Sequence, residues 1–205
     1  MMITPSQHDI HCIGCEYSCQ IYPDAVLRSQ YCGQSSFAIW PEGNLFLQQG
    51  ILTKLRKENN RLSCGFIFVD FSLPWLRDFI DAKWIDNLIK TGMRIVIITD
   101  NHLRPLANYW ITRSNKIHGI LYASDDDDIQ RMKIRRLFTG RLALDRQGRM
   151  LNYSEVMLLN RFMSGICAQG IISIDKIETK KVYVHKYRLE KKLGFTVQQL
   201  ISRVL

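Results

Sequence analysis

The sequence contains no apolar run approaching the ~18 residues that a membrane-spanning helix requires. Its start, Met1-Met2-Ile3-Thr4-Pro5-Ser6-Gln7-His8, lacks the charged and apolar regions of a secretory signal. The expectation is a cytoplasmic protein with no membrane partner. No internal repeat and no low-complexity tract is present, which excludes solenoid and compositionally biased classes. Nothing resembles a nucleophile–base pair or a nucleotide-binding loop, so no enzyme is expected and no catalytic residue is named. What is present is the composition of an ordinary globular protein. Its 205 residues, 46% hydrophobic and 23% charged, leave room for one large or two small domains.

Acidic residues are in short supply in one half. Residues 1–100 carry 9 Lys/Arg against 10 Asp/Glu, whereas residues 101–205 carry 19 against 9. A one-sided excess of cations attracts polyanions through counterion release, and promoter DNA, RNA and anionic membrane surfaces all qualify on charge alone.

Residues 1–34 show little apolar periodicity and are expected to form an irregular extension. They hold four of the six cysteines, in the pattern Cys12-x2-Cys15-x3-Cys19-x12-Cys32, with His8 and His11 nearby. These are enough soft ligands for zinc or an iron–sulfur cluster, although the spacing matches no standard module. Reduced thiols on an irregular extension, with no cofactor, are the alternative, because a reducing cytoplasm argues against a disulfide framework. Cys64 and Cys167 read as small core residues.

From residue 36 onward, short β-branched and aromatic runs alternate with longer stretches of helical spacing, the order of a parallel sheet flanked by helices. Strands are expected at 37–40, 66–69, 94–98 and 117–122, and helices at 44–57, 74–91, 103–114 and 126–138. The acidic run 125–128 reads as a solvated helix start that suits the helix dipole. Residues 35–140 are thus an α/β domain, and the polar, basic stretch 141–150 is its linker to residues 151–205.

The last segment reads as four helices, at 154–164, 168–174, 178–193 and 197–204. On the third, Val182, His185, Leu189 and Leu193 fall on one side and should be buried. Lys180, Tyr183, Val184, Tyr187 and Lys191 cluster opposite, and Thr179, Lys181, Lys186 and Lys192 add further polar and cationic groups. A basic and aromatic stripe on a helix that follows a tight turn suits a reader of the DNA major groove, and equally a solvated face.

The frame Leu151-Asn152-x-x-Glu155, Gly165, Ile171-Ile172, Ile177, Lys180-x-Val182-x-x-His185 and Lys192-Leu193-Gly194 resembles the LuxR/FixJ (GerE-like) helix-turn-helix family. The resemblance implies sequence-specific binding of double-stranded promoter DNA by the third helix, a dimer contact through the last helix, and RNA polymerase as a further partner. His185 is then a packing or phosphate-contact residue. Asp175 departs from the family's leucine, and Glu178 and Lys181 replace its Ser and Thr, with Thr179 and Lys181 placed to compensate for a lost hydroxyl–phosphate contact.

Members of that family often carry a phosphorylatable receiver domain. Asp70-Phe71-Ser72-Leu73-Pro74 resembles the D-x-x-x-P around a receiver's phosphoacceptor, and Thr99 stands in the place of its hydroxyl residue. The rest departs: Pro41-Glu42 supplies one carboxylate where a magnesium site wants two, and Ala123 stands where the receiver has lysine. Only about 30 residues separate Glu42 from Asp70. Residues 105–110, Pro-Leu-Ala-Asn-Tyr-Trp, through 120–123, Ile-Leu-Tyr-Ala, resemble the atypical enterobacterial LuxR-type regulators of the EcpR (MatA) kind. The fold expected is a degenerate receiver-like α/β domain plus an all-α four-helix LuxR-type domain. The function expected is regulation of fimbrial, capsule or motility genes without receiver phosphorylation, as a homodimer or a heterodimer with another regulator. Two readings stand beside it: an auxiliary interaction protein that joins another regulator, and a cysteine-based metal- or redox-responsive regulator.

Overall fold

Four runs rich in β-branched and aromatic residues pair into one sheet, because each is apolar on both faces and needs a layer on either side. The computed structural model describes residues 9–14, 16–24, 26–27, 36–57, 64–146 and 148–204. Two short strands come first, β1 (Ile10–His11) and β2 (Gln20–Tyr22), paired antiparallel. There follow β3 (Phe37–Trp40), α1 (Leu45–Lys57), β4 (Phe66–Phe71), a 3-10 helix (Leu73–Phe79), α2 (Lys83–Ile89), β5 (Arg94–Thr99), α3 (Arg104–Arg113), β6 (Ile117–Tyr122) and α4 (Asp127–Phe138). Four helices close the chain: α5 (Tyr153–Met163), α6 (Ala168–Asp175), α7 (Thr179–Leu193) and α8 (Val197–Val204).

The sheet order is β3-β4-β5-β6, with β3 and β4 parallel and in register from Phe37 opposite Phe66 to Trp40 opposite Val69. Ile39, Phe66, Phe68, Val96 and Leu121 form one face, against which Ile51 and Leu55 of α1 pack together with Ile134 and Leu137 of α4. Alternate residues face the other way, and there Trp40 stacks on Trp84 of α2 with ring centroids 6.5 Å apart. The crossovers through α1 and α2 therefore leave by opposite faces while stepping the same way across a parallel sheet. They are of opposite hand, so one of them breaks the right-handed rule that holds for about 98% of such connections. Between β3 and β4 the described residues hold one regular element, α1.

The chain gathers into two compact units. One comprises residues 1–70, 83–98 and 115–145, and the other residues 71–82, 99–114 and 146–205. In the second unit the Trp110 indole N–H donates to the Phe79 carbonyl at 2.7 Å, the Leu151 amide donates to the Pro105 carbonyl at 2.9 Å, and the Asn108 side-chain amide donates to the Arg149 carbonyl at 3.0 Å.

Several expectations are corrected. The single helix expected over 74–91 is two elements: Leu76 and Phe79 are buried in the 3-10 helix, and Trp84, Ile85 and Leu88 in α2. On one continuous α-helix those two sets would point to roughly opposite sides, and the break at residues 80–82 lets both turn inward. Residues 1–34 are not wholly irregular, since β1 and β2 lie within them, and the Ile13 amide donates to the Phe37 carbonyl at 2.7 Å. Ala143, expected in the linker, bonds to the β6 backbone on both sides, to His118 and Ile120, at 2.9 Å each. Cys167 is exposed and caps α6 rather than filling the core.

The acidic run at 125–128 is solvated only in part. Asp126 caps α4 by accepting the Ile129 amide at 2.8 Å. Asp125 is instead buried, and its carboxylate accepts both the Tyr122 amide at 3.0 Å and the Lys133 ammonium at 2.6 Å, each ion-pair side chain being 1% exposed. The Lys133 ammonium also lies 4.8 Å from the Tyr122 ring centroid. Removing one member of such a pair leaves a buried charge without its partner. Lys133→Met or Asp125→Leu alone should each cost about 3–5 kcal/mol in urea unfolding, and the double replacement should cost less than either single change.

His118 in β6 is held below the ordinary imidazole value of 6.5 by burial first, then by the Arg94 guanidinium, with a backbone hydrogen bond involving Lys116 opposing and the Lys116 charge adding. The unfolded imidazole takes a proton as pH falls through its ordinary range, and the folded one takes it only at lower pH. Stability is therefore complete above that range and declines as pH falls from 6.5 toward the lowered value. Replacing His118 by Gln should shrink the difference in unfolding free energy between about pH 7.5 and about pH 5.5, measured by urea titration at each pH.

Candidate nucleic-acid interface

The C-terminal helices are placed by a few polar contacts, one of which centres on a fully buried carboxylate. At the start of α5, the Asn152 side chain accepts the Glu155 amide at 2.9 Å, and the Glu155 carboxylate accepts the Asn152 amide at 2.8 Å, a reciprocal capping box. Glu155 is fully buried. Its two oxygens also accept the Lys192 ammonium, at 2.7 and 2.9 Å. One carboxylate thus ties the first turn of α5 to the last turn of α7. Arg161 of α5 and Asp175 of α6 form a two-point ion pair at 2.6 and 3.1 Å.

The turn from α6 into α7 passes through Lys176 in the left-handed region, φ 51° and ψ 37°. Glu178, the N-cap of α7, makes no side-chain bond to the first turn, so the helix N-terminus has no internal acceptor of that kind. At the other end α7 stops at Gly194, φ 76°. A Cβ there would be strained by that φ and would lie 3.3 Å from His102 Nδ1. The His102 Nδ1–H donates to the Leu193 carbonyl at 3.1 Å, and the His102 ring packs against Phe195 with centroids 4.3 Å apart.

Between those ends α7 buries Val182, Leu189 and Leu193. Thr179, Lys180, Lys181, Tyr183, Val184, Tyr187 and Lys191 are all exposed, as the sequence pattern predicts. Lys191 leans over the Tyr187 ring at 5.9 Å. Lys181 lies 3.3 Å from Glu178, and Lys186 lies 3.8 Å from Glu190 and is half-buried. Lys192 is different, because its ammonium is taken up by Glu155 and serves the packing of α7 rather than its exposed face. Arg188, unremarked in the sequence pattern, is exposed one turn beyond Val184 and extends the same stripe. Its i+4 relation to Val184 is the signal that would have included it. His185 is half-buried, and its Nδ1 is shielded from solvent without a hydrogen-bond partner among the described residues.

The residues that resemble parts of a receiver pocket have the following partners. Asp70 is buried, and its carboxylate accepts the Asn44 side-chain amide at 2.9 Å. Thr99 is buried, and its hydroxyl donates to the Asp100 carbonyl at 3.3 Å. Of the candidate metal ligands, Cys12 and Cys19 are buried, and the Cys12 amide donates to the Cys19 carbonyl at 2.7 Å. His11 Nδ1 lies 2.8 Å from Glu42, while His8, Cys15 and Cys32 lie outside the described residues. Among the described residues no three His, Cys, Asp or Glu side chains converge as a metal site, and no single helix is long and apolar enough to cross a membrane.

The chain belongs to the family defined by the EcpR N-terminal domain, whose model matches residues 11–138. It is 35% identical over 193 residues to the uncharacterized protein YqeH of Escherichia coli (strain K12), which covers 94% of this chain and 92% of that one. Among solved structures it is similar to RcsB in an assembly of two RcsB dimers bound to two parallel DNAs, with 18% identity, 75% and 82% of the two chains covered, and a TM-score of 0.38. It is also similar to the response regulator ChrA of a heme-sensing two-component system, with 14% identity, 78% and 91% covered, and a TM-score of 0.30.

The distinction between the two adjacent lysines is measurable. Lys192→Ala leaves the Glu155 carboxylate buried without its cation and should lower the unfolding free energy by about 3 kcal/mol. Lys191→Ala touches only the exposed face and should change it by no more than about 0.5 kcal/mol.

Proposed function

We propose that the chain is a sequence-specific DNA-binding transcription regulator in which residues 151–205 act as a LuxR-type helix-turn-helix domain and α7 enters the major groove of promoter DNA. The observation that carries the reading is the division of α7. Val182, Leu189 and Leu193 are buried, whereas Lys180, Tyr183, Val184, Tyr187 and Lys191 stand exposed on one stripe beyond a tight left-handed turn. Lysines and an uncapped helix N-terminus suit phosphates, and Tyr183 and Val184 suit base edges and thymine methyls. Lys192 is omitted from the contact set because Glu155 engages it.

Regulation without aspartyl phosphorylation is part of the proposal. A phosphoacceptor needs a metal site and a cation to offset the developing charge. The Asp70 carboxylate is buried against the Asn44 amide, and the Lys133 ammonium is held by Asp125. The genes controlled would be those of surface structures, and the regulator would act as a homodimer or with another regulator.

The test is chromatin immunoprecipitation with sequencing of the tagged chain, beside a Lys180→Ala, Tyr183→Ala double variant. Discrete peaks that share a motif and vanish in the variant are expected, and peaks retained by the variant would contradict direct recognition by α7. On purified protein, Lys180→Ala should weaken binding to all sequences and reduce the salt slope by about 1. Tyr183→Ala should relax preference at one position by about 1–3 kcal/mol.

A further inference from the structure

We propose that Cys12 and Cys19 are a redox-active thiol pair, which a low-molecular-weight disulfide converts to an intrachain disulfide across the end of the β1–β2 ribbon. The pairing follows from register. His11 stands opposite Gln20, and the Cys12 amide donates to the Cys19 carbonyl at 2.7 Å, so Cys12 and Cys19 are the next opposite pair. Opposite residues of an antiparallel pair send their side chains to one face of the ribbon. Burial agrees: Ile10, Cys12 and Cys19 are buried, whereas the adjacent His11 and Gln20 reach solvent in part. The Cα atoms of a hydrogen-bonded opposite pair lie about 5.5 Å apart, within the roughly 4.4–6.8 Å that a disulfide spans. Their Cβ atoms, up to about 5.5 Å apart in such a pair, must close to about 4 Å. Regular pairing ends at these two residues, which leaves them free to make that movement. Beyond them the Gly14 amide turns back to donate to Cys12 Sγ at 3.4 Å, and Ser18 turns the chain at φ 40°.

Cys12 is the attacking residue, because it also walls a polar cavity of about 430 Å³ together with His11, Ser18, Glu42 and Asn44. That volume falls within the roughly 300–1,000 Å³ of small-molecule sites and admits a small disulfide. Cys12 gives up its proton and attacks one sulfur of the oxidant, forming a mixed disulfide and expelling one thiolate. Cys19, opposite, gives up its proton and attacks Cys12 Sγ, which forms the Cys12–Cys19 bond and expels the second thiolate. Two protein thiols are thereby oxidised, one small disulfide is reduced to two thiols, and the two protons end on those thiols. Among the described residues no three His, Cys, Asp or Glu side chains converge, so the pair is matched to a sulfur–sulfur bond rather than to a metal ion.

The consequence falls on the α/β unit. β3 is an edge strand of the four-stranded sheet, and Ile13, next to Cys12, meets that edge by donating its amide to the Phe37 carbonyl at 2.7 Å. A Cys12–Cys19 bond closes a short loop around Ile13 and holds it against the edge, restricting the unfolded chain more than the folded one. This inference does not rest on the DNA-binding reading.

The probe is 2-hydroxyethyl disulfide, a small uncharged oxidant, added to the reduced full chain, after which free thiols are captured with iodoacetamide and the peptides are read by mass spectrometry. In the unchanged chain, Cys15 is expected to be captured while Cys12 and Cys19 escape capture and regain it once dithiothreitol is added. In a Cys15→Ser chain, cleavage after Glu16 separates the two cysteines, and their peptides should stay joined until reduced. A Cys19→Ala change in that background, with circular dichroism unchanged, should halt the reaction at one hydroxyethylthio group on Cys12. The oxidised Cys15→Ser chain should unfold at higher urea than the reduced one, a difference that Cys19→Ala abolishes. Capture of Cys12 and Cys19 after oxidation, or joining of either to Cys15, Cys32, Cys64 or Cys167, would overturn the pair.

Discussion

The buried carboxylate of Glu155 is the contact on which the placement of α7 depends. A charge removed from water is tolerated only when all its oxygens are answered. Here the Asn152 amide and the Lys192 ammonium answer them from two different helices. Lys192 sits one residue from the end of a 15-residue helix, about 22 Å long at 1.5 Å per residue. A small change of angle at that end therefore moves the Thr179 end by far more. The Arg161–Asp175 pair performs the same service for α6. The turn into α7 thus begins from an anchored residue.

The α/β portion shows the same economy of charge. Asp70 and Thr99, which resemble parts of a phosphorylation pocket, are each engaged by a neighbour, Asp70 by Asn44 and Thr99 by the Asp100 carbonyl, and the buried Lys133 is engaged by Asp125. Each is satisfied, and none of those bonds brings a cation to the Asp70 carboxylate. This supports the proposed independence from aspartyl phosphorylation more directly than the missing sequence signatures do.

Much of the layout was legible from residue patterns because the strands announce themselves. The runs 37–40 and 117–122 are rich in β-branched and aromatic residues, and they form strands with those bounds. The last helix likewise matches its expected range, 197–204. The stretch 74–91 was not legible, because its apolar residues fit one helical repeat only if the change of direction at residues 80–82 is ignored. Strands β1 and β2 were missed because segments of two and three residues carry no period to detect. Side-chain pairing was the least legible feature. Asp125 and Asp126 are adjacent in an acidic run, yet one is buried against Lys133 and the other caps a helix. Lys191 and Lys192 are adjacent on α7, yet one is exposed and the other answers Glu155. Such differences follow from which way a side chain points once the helix is packed.

The second compact unit takes in residues 71–82 and 99–114 with the C-terminal helices, and this bears on how α7 could be controlled. The 3-10 helix and α3 are not bystanders within it. His102 bonds to the last carbonyl of α7, the Pro105 carbonyl holds the Leu151 amide, and Asn108 holds the Arg149 carbonyl. These contacts meet the bundle at the entry to α5 and at the exit of α7, the two ends that Glu155 and Lys192 join from inside. A rearrangement of α3 would therefore act on the same hinge as the buried ion pair. Under the proposed function, Lys180, Tyr183 and Val184 of the exposed stripe sit in the turns farther from the Lys192 end. The exposed stripe is thus positioned by contacts made at the last turn of α7 and at the entry to α5.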